Sequence, residues 1–255
     1  FKFENYISKK FNKKFNNDFQ KILDWSIKNS SEFWSSFWDF TKINGKKNSK
    51  NSKKIKKSKV FYKNLFLPGS TLNFANNLLA KNDKKKVATF ISENGFREER
   101  SWLNLNQNTN KLVQFLKNKK IKQKDRVAAY MPNTIETVEA FISTTAIGAI
   151  WSSCSPDFGV KGVIERFSQI NPKILFITDQ YFYNGKQINI IDRLPEILKA
   201  IPSIKNVVVT NYPGKSFVKY KKKIKKINIT SWTKLMKVNT KDMIYPNFDF
   251  EHELA

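Results

Sequence analysis

Few side chains in this sequence can do covalent chemistry. Cys154 is the only cysteine of the 255-residue chain and stands in "AIWSSCSPDFG" (149–159), between two serines with Pro156 and Asp157 behind it. A thiol becomes a nucleophile when a base lowers its pKa. The sole histidine, His252, is near the far end of the chain, and nothing in the pattern joins the two. A buried or pocket-lining thiol is the simpler reading. One cysteine and one histidine also fall short of a zinc ligand set, so no metal site and no catalytic residue are assigned. "PGKS" (213–216) ends like a phosphate-binding loop, yet Val209 stands where that motif's first glycine must be, which leaves a turn. No GxGxxG follows a strand-like run, so a dinucleotide site is unsupported.

Composition narrows the classes further. Forty-seven basic residues against 21 acidic ones give a formal charge of +26, which raises the question of nucleic acid. Only Arg97, Arg100, Arg126, Arg166 and Arg193 are arginine, although guanidinium is the preferred reader of phosphates and base edges. Lysine accompanied by Asn and Ile fits drift on solvated faces better, and a nucleic-acid partner is set aside. A single cysteine excludes an internal disulfide framework, and no secretory leader pattern is visible, so a cytoplasmic setting is expected. The longest uncharged run, Ala140 to Pro156, is shorter than the ~20 apolar residues of a membrane span. The chain opens on Phe1 and closes on "NFDFEHELA", and reads as a piece of something longer.

Stepping along the chain, "DWSIKNSSEFWSSFWDF" places Phe33, Phe37 and Phe40, or Trp34 and Trp38, at helical spacing, the mark of a packing stripe. Residues 1–41 are therefore expected to form a helical aromatic cap, and Lys-rich 42–59 an exposed linker. From residue 60 the pattern alternates. Helix is expected over 106–120, a strand over "DRVAAYMP", a helix from Ile135 with Asn133 or Thr134 as its cap, then "GAIWSSCS" strand, "GVKGVIERFSQ" helix, "KILFITD" strand, "IIDRLPEILKAI" helix and "NVVVT" strand. Such alternation implies right-handed crossovers and an α/β fold with a mostly parallel sheet flanked by helices. After Thr210 a basic, irregular excursion leads to a short helix near "SWTKLMK". In a sheet of this kind ligands bind at the carboxyl ends of strands, here "MPNT", "SCSPDFG" and "TDQYFYNGK".

Those loops, with "FLPGSTLNFANNLL" (66–79) and the aromatic cap, resemble the adenylate-forming acyl-CoA synthetase superfamily, in particular its acetoacetate-activating branch. The resemblance implies an acid–thiol ligase: acetoacetate and Mg-ATP give an acyl-adenylate and pyrophosphate, and CoA then displaces AMP. Residues 60–255 would be an incomplete AMP-binding large domain. The family's Gly/Ser/Thr-rich phosphate loop follows a segment like "FDFEHELA", so the missing carboxy-terminal part of the enzyme is expected to carry it, and this chain alone to adenylate nothing. The resemblance also implies CoA contacts at Tyr183, Asn184, Gly185 and Lys186, with Ser153 beside the CoA chain. The same "YNGK" spells a tight turn in its own right, and both readings stand. "SSCSPDFG" is then a loop kinked by Pro156, with Asp157 capping the next helix and Cys154 lining the CoA side without a covalent role. Ligases for another short acid are the near alternative.

Overall fold

The structure is a computed structural model that describes residues 2–48, 55, 58–215, 223–224, 227–240 and 243–255. Residues 49–54 and 56–57 of the linker expected at 42–59, and 216–222 and 225–226 of the basic excursion expected after Thr210, lie outside the described residues. Two compact units result, residues 1–73 with 246–252 and residues 74–245 with 253–255.

The first unit is built on aromatic packing. Helices α1 (Lys2–Phe11), α2 (Phe19–Lys28) and α3 (Ser30–Thr41) follow one another, α2 capped by Asp18, whose carboxylate accepts from the Lys21 amide. The expected stripe is real: Phe33, Phe37 and Phe40 of α3 meet the Phe3 ring of α1 at 5.6, 5.5 and 5.1 Å. Ile7, Phe15 and Trp25 fill the centre. Strand β1 (Gly45–Lys46) pairs with β2 (Thr71–Leu72), which also pairs with Phe248–Asp249.

The second unit carries the sheet. After a short helix α4 (Phe74–Leu78) comes an antiparallel hairpin, β3 (Lys86–Ile91) and β4 (Arg97–Ser101). Helix α5 (Trp102–Asn118) starts at Ser101, whose hydroxyl accepts from the Asn104 amide. The expected alternation follows: β5 (Arg126–Tyr130), α6 (Ile135–Ala146), β6 (Ile150–Cys154), α7 (Val160–Ile170), β7 (Ile174–Thr178), a second hairpin β8 (Gln180–Tyr183) and β9 (Lys186–Asn189), α8 (Leu194–Ala200), and β10 (Asn206–Thr210). The basic excursion then contains two strands that the sequence reading passed over, β11 (Lys223–Ile224) and β12 (Ile227–Ser231), before α9 (Trp232–Met236). Thr134 is the N-cap of α6, although its side chain makes no capping bond.

Strand order is β6-β5-β7-β10-β12-β11, all neighbours parallel except β11. The sheet's alternation divides two cores. Val127, Ala129, Phe176 and Val208 face α5, α6 and α9, while Ala128, Tyr130, Leu175, Ile177, Val207 and Val209 face α7 and α8. Placing helices on both faces is what a chain must do when it first steps outward from β5 to β6 and then back past it to β7 with right-handed crossovers. Phe176 is fully buried, its ring 6.3 Å from that of Trp151 and 6.2 Å from that of Trp232. We predict that Phe176→Ala lowers the unfolding free energy by about 3–5 kcal/mol, read as a lower urea midpoint at unchanged slope; a midpoint within error of the parent would contradict this packing.

Candidate functional site

Counted in order of appearance, the parallel strands stand second, first, third, fourth, fifth. The order reverses at β5 and the crossover helices on either side of it leave to opposite faces, the switch point at which sheets of this kind form a crevice. Asp179, directly after β7, closes the floor. Its amide donates to the Thr210 carbonyl at 2.9 Å, its carboxylate accepts from the Tyr212 amide at 2.8 Å, and its carbonyl accepts from the amides of Ile190 and Ile191.

On the α7–α8 side, the loop after β6 is held from below. Tyr130, fully buried at the end of β5, accepts from Arg193 and reaches the carbonyls of Pro156 and Phe158; Arg193 Nη1 donates to the same two carbonyls at 3.2 and 3.0 Å. Burial raises the phenol's pKa against the pull of the Arg193 hydrogen bond, which keeps it a donor. The Phe158 ring lies 4.1 Å from the Arg166 guanidinium. Asp157 does not cap α7 as expected: Gly159 is the N-cap and no side chain bonds there. The Asp157 carboxylate instead accepts from the Ser155 hydroxyl at 2.8 Å, while burial and the Asp157 charge nearby push the Tyr181 phenol up to about 12. The acid is drawn to a hydroxyl on its own loop and away from the helix end. Cys154 is buried at 3% exposure, and burial raises its thiol above its usual value, the opposite of what a nucleophile needs.

The residues expected to touch CoA fall into two places. Tyr183, Asn184, Gly185 and Lys186 form the tip of the β8–β9 hairpin, Asn184 and Gly185 being its two-residue turn with φ of +49° and +71°, and Tyr183 paired to Lys186. This double left-handed geometry is why Asn-Gly stands there. A Cβ on Gly185 would meet nothing within 4 Å, so conformation, not crowding, requires the glycine. Tyr183 and Lys186 are exposed, and the Gly185 amide donates to the Glu93 carboxylate at 3.3 Å. Ser153 is exposed on β6, with β5 between its strand and β7. Pro213-Gly214-Lys215 of "PGKS" make a turn, as expected, with Ser216 outside the described residues: Gly214 has φ +75°, and a Cβ there would strike the Phe96 ring at 2.5 Å.

A polar group that the sequence reading missed lies on the other face. Glu139 of α6 is fully buried and accepts from Arg100 Nε and Asn108 Nδ2, both at 2.9 Å, while Glu98 pairs with the same guanidinium at 2.9 Å and Glu136 at 3.7 Å. One guanidinium thus serves three carboxylates. Burial, opposed by Arg100 and Asn108, raises Glu139 to about 7, and burial raises Glu136 as well. Glu98 and Glu136 form one wall of a cleft of 360 Å³ that Thr210, Tyr212, Gly214 and Trp232 complete. Two acids at i and i+3 in the apolar run "IETVEAFISTTA" were the signal for it. Among the described residues, no group of three or more His, Cys, Asp or Glu side chains could hold a metal ion, and no helix is long and apolar enough to cross a membrane.

Comparison with known proteins adds to this geometry. A family model described as "AMP-binding enzyme" matches residues 78–245. The acetoacetyl-CoA synthetase of Gallus gallus is 36% identical over 197 residues, covering 76% of this chain and 29% of that protein. The acetoacetyl-coenzyme A synthetase of Rhizobium meliloti (strain 1021) is 35% identical over 199 residues, covering 78% and 30%. A malonamoyl-CoA synthetase of Penicillium aethiopicum is 31% identical over 199 residues, covering 75% and 27%. The solved acetoacetyl-CoA synthetase from Streptomyces lividans matches 99% of this chain and 38% of its own, with a TM-score of 0.86 at 23% identity, a likeness of fold. The chain spans about 29% of the length of the first of these curated relatives.

Two outcomes follow from the buried groups. Folded Glu139 holds its proton up to about pH 7, whereas the unfolded side chain releases it near 4.3. The folded state therefore binds more protons between these values, and stability falls as pH rises through that window, by a total on the order of 3 kcal/mol. Chemical denaturation at pH 5 and 8 should show the fall, and Glu139→Gln should flatten it; equal slopes in both proteins would refute the assignment. Native Cys154 should react with iodoacetamide at pH 7.5 at least about tenfold more slowly than in the denatured chain, a mass-spectrometric measurement that equal rates would overturn.

Proposed function

The chain belongs to the AMP-binding enzyme family, and from that premise we propose that it forms the amino-terminal, CoA-facing part of an ATP-dependent acid–thiol ligase for acetoacetate. In the first half-reaction the acid's carboxylate oxygen attacks the α-phosphorus of ATP and pyrophosphate leaves; in the second, the CoA thiol gives up its proton, its sulfur attacks the acyl carbonyl, and AMP departs. The observation that carries the reading is the 35–37% identity to acetoacetyl-CoA synthetases over about three-quarters of the chain. We place residues 1–41 as the cap, 42–59 as the linker and 60–255 as part of the large domain, in a cytoplasmic enzyme. The 31% identity to a malonamoyl-CoA synthetase favours, as a second reading, another short acid on the same machinery.

The residues of this chain serve the CoA side. Lys186 offers an ammonium to a phosphate, the φ-positive turn exposes the Gly185 amide, Tyr183 presents a ring, and Ser153 borders the rim. Glu93 already occupies the Gly185 amide with an anionic oxygen, and a phosphate must displace it. The described residues do not fit a magnesium site; the ion belongs with the phosphates of ATP, and the chain holds no Gly/Ser/Thr-rich loop for them.

Calorimetric titration of CoA into this chain tests the reading. Lys186→Ala should weaken binding about tenfold, the worth of one charge-assisted hydrogen bond, and Glu93→Gln should tighten it about two- to fivefold, the range of an exposed charge contact. Unchanged affinity in both variants, or no CoA binding by the parent, would remove these residues from the site. Comparing acetoacetate, malonamate, acetate and propionate as substrates of the complete enzyme decides the acid.

A further inference from the structure

We infer that Arg193 is a positioning residue that ties the two CoA-side loops, 155–159 and 180–189, into one preassembled unit; its mechanical part rests on geometry alone, and its consequence for CoA rests on the reading above. The two loops leave different strands, β6 and β7, with β5 between them. Arg193 ends a single 3-10 turn at the foot of the β8–β9 hairpin. Its backbone is fixed there: the Arg193 amide donates to the Ile190 carbonyl at 3.0 Å, and the Ile190 and Ile191 amides donate to the Asp179 carbonyl at 2.9 and 3.0 Å. From that anchor the guanidinium crosses to the other loop and meets the Pro156 and Phe158 carbonyls and the Tyr130 hydroxyl.

Three features make this more than one stabilising contact. Ser155, Asp157, Phe158 and Gly159 are exposed, so the loop has little burial to fix it, and segments of that kind open easily. The backbone bond inside the loop runs from the Phe158 amide to the Ser155 carbonyl at 3.1 Å, and the Pro156 and Phe158 carbonyls are met by side chains. Arg193, through Nη1, and Tyr130, through its hydroxyl, converge on the same two carbonyls from two elements. Both candidate CoA elements are therefore ordered relative to each other before any ligand arrives, which lowers the ordering cost of binding.

Hydrogen exchange on the ligand-free chain, paired with CoA titration, tests this. Arg193→Ala should speed exchange at least about tenfold at residues 155–159 and 180–189 together while the β10 amides stay protected, and should weaken CoA binding about tenfold. Arg193→Lys should fall between, since an ammonium can still reach one carbonyl. If the alanine variant does not fold, Arg193→Lys and Tyr130→Phe carry the test. Loosening of one loop alone, or unchanged exchange in the folded variants, overturns the positioning role. Loops that loosen together without a change in CoA affinity overturn its consequence for binding. If the loops loosen but the parent binds no CoA, the positioning role stands and the CoA reading falls.

Discussion

Everything in the sheet-bearing unit depends on the reversal of strand order at β5. Because the chain steps outward to β6 and must return past β5 to reach β7, its crossover helices are forced onto opposite faces. The polar backbone at the carboxyl ends of β5, β6 and β7 is then left without a helix lying across it. Hydrogen-bond partners are needed there, and side chains supply them for the loop after β6, through Tyr130 with Arg193, as Asp179 just past β7 does for the chain after β10. The crevice and the groups that order it are two consequences of one topological step.

The two sides of that crevice solve opposite electrostatic problems. Toward α7 and α8 the Arg193 guanidinium meets two neutral carbonyls and a phenol through Nη1, so order comes from polar contacts without an ion pair. Toward α5 and α6 three carboxylates share Arg100, and burial resolves the excess by keeping Glu139 protonated up to about pH 7. The first arrangement suits a site that must hold its shape while a charged coenzyme comes and goes. The second stores a proton beneath the wall of a separate cleft, and its cost falls on the stability of the fold.

Much of the fold was legible because apolar runs such as "KILFITD" and "NVVVT" are buried on both faces and carry the signature of central strands. β12 was hidden because its "INITS" follows a lysine run that reads as solvated surface. The β8–β9 hairpin was present in the sequence as Asn184-Gly185, a turn signal whose flanking strands, "QYFY" and "KQIN", are too short and mixed to announce themselves. Arg193 was invisible as a positioning group, since the carbonyls it serves are more than thirty residues away and belong to the backbone, which sequence does not mark. Asp157 misled for a related reason: an acid just before a helix favours capping, but here the Ser155 hydroxyl holds its carboxylate.

The central claim is that the carboxyl ends of β6 and β7 form a preordered CoA surface. Its most direct measurement is a hydrogen-exchange footprint of CoA on the unmodified chain. Added protection should fall on residues 153–159 and 180–187 and spare the cleft walls at 210–215 and 232–233. Protection confined to those cleft walls, or no protection anywhere at saturating CoA, would contradict it.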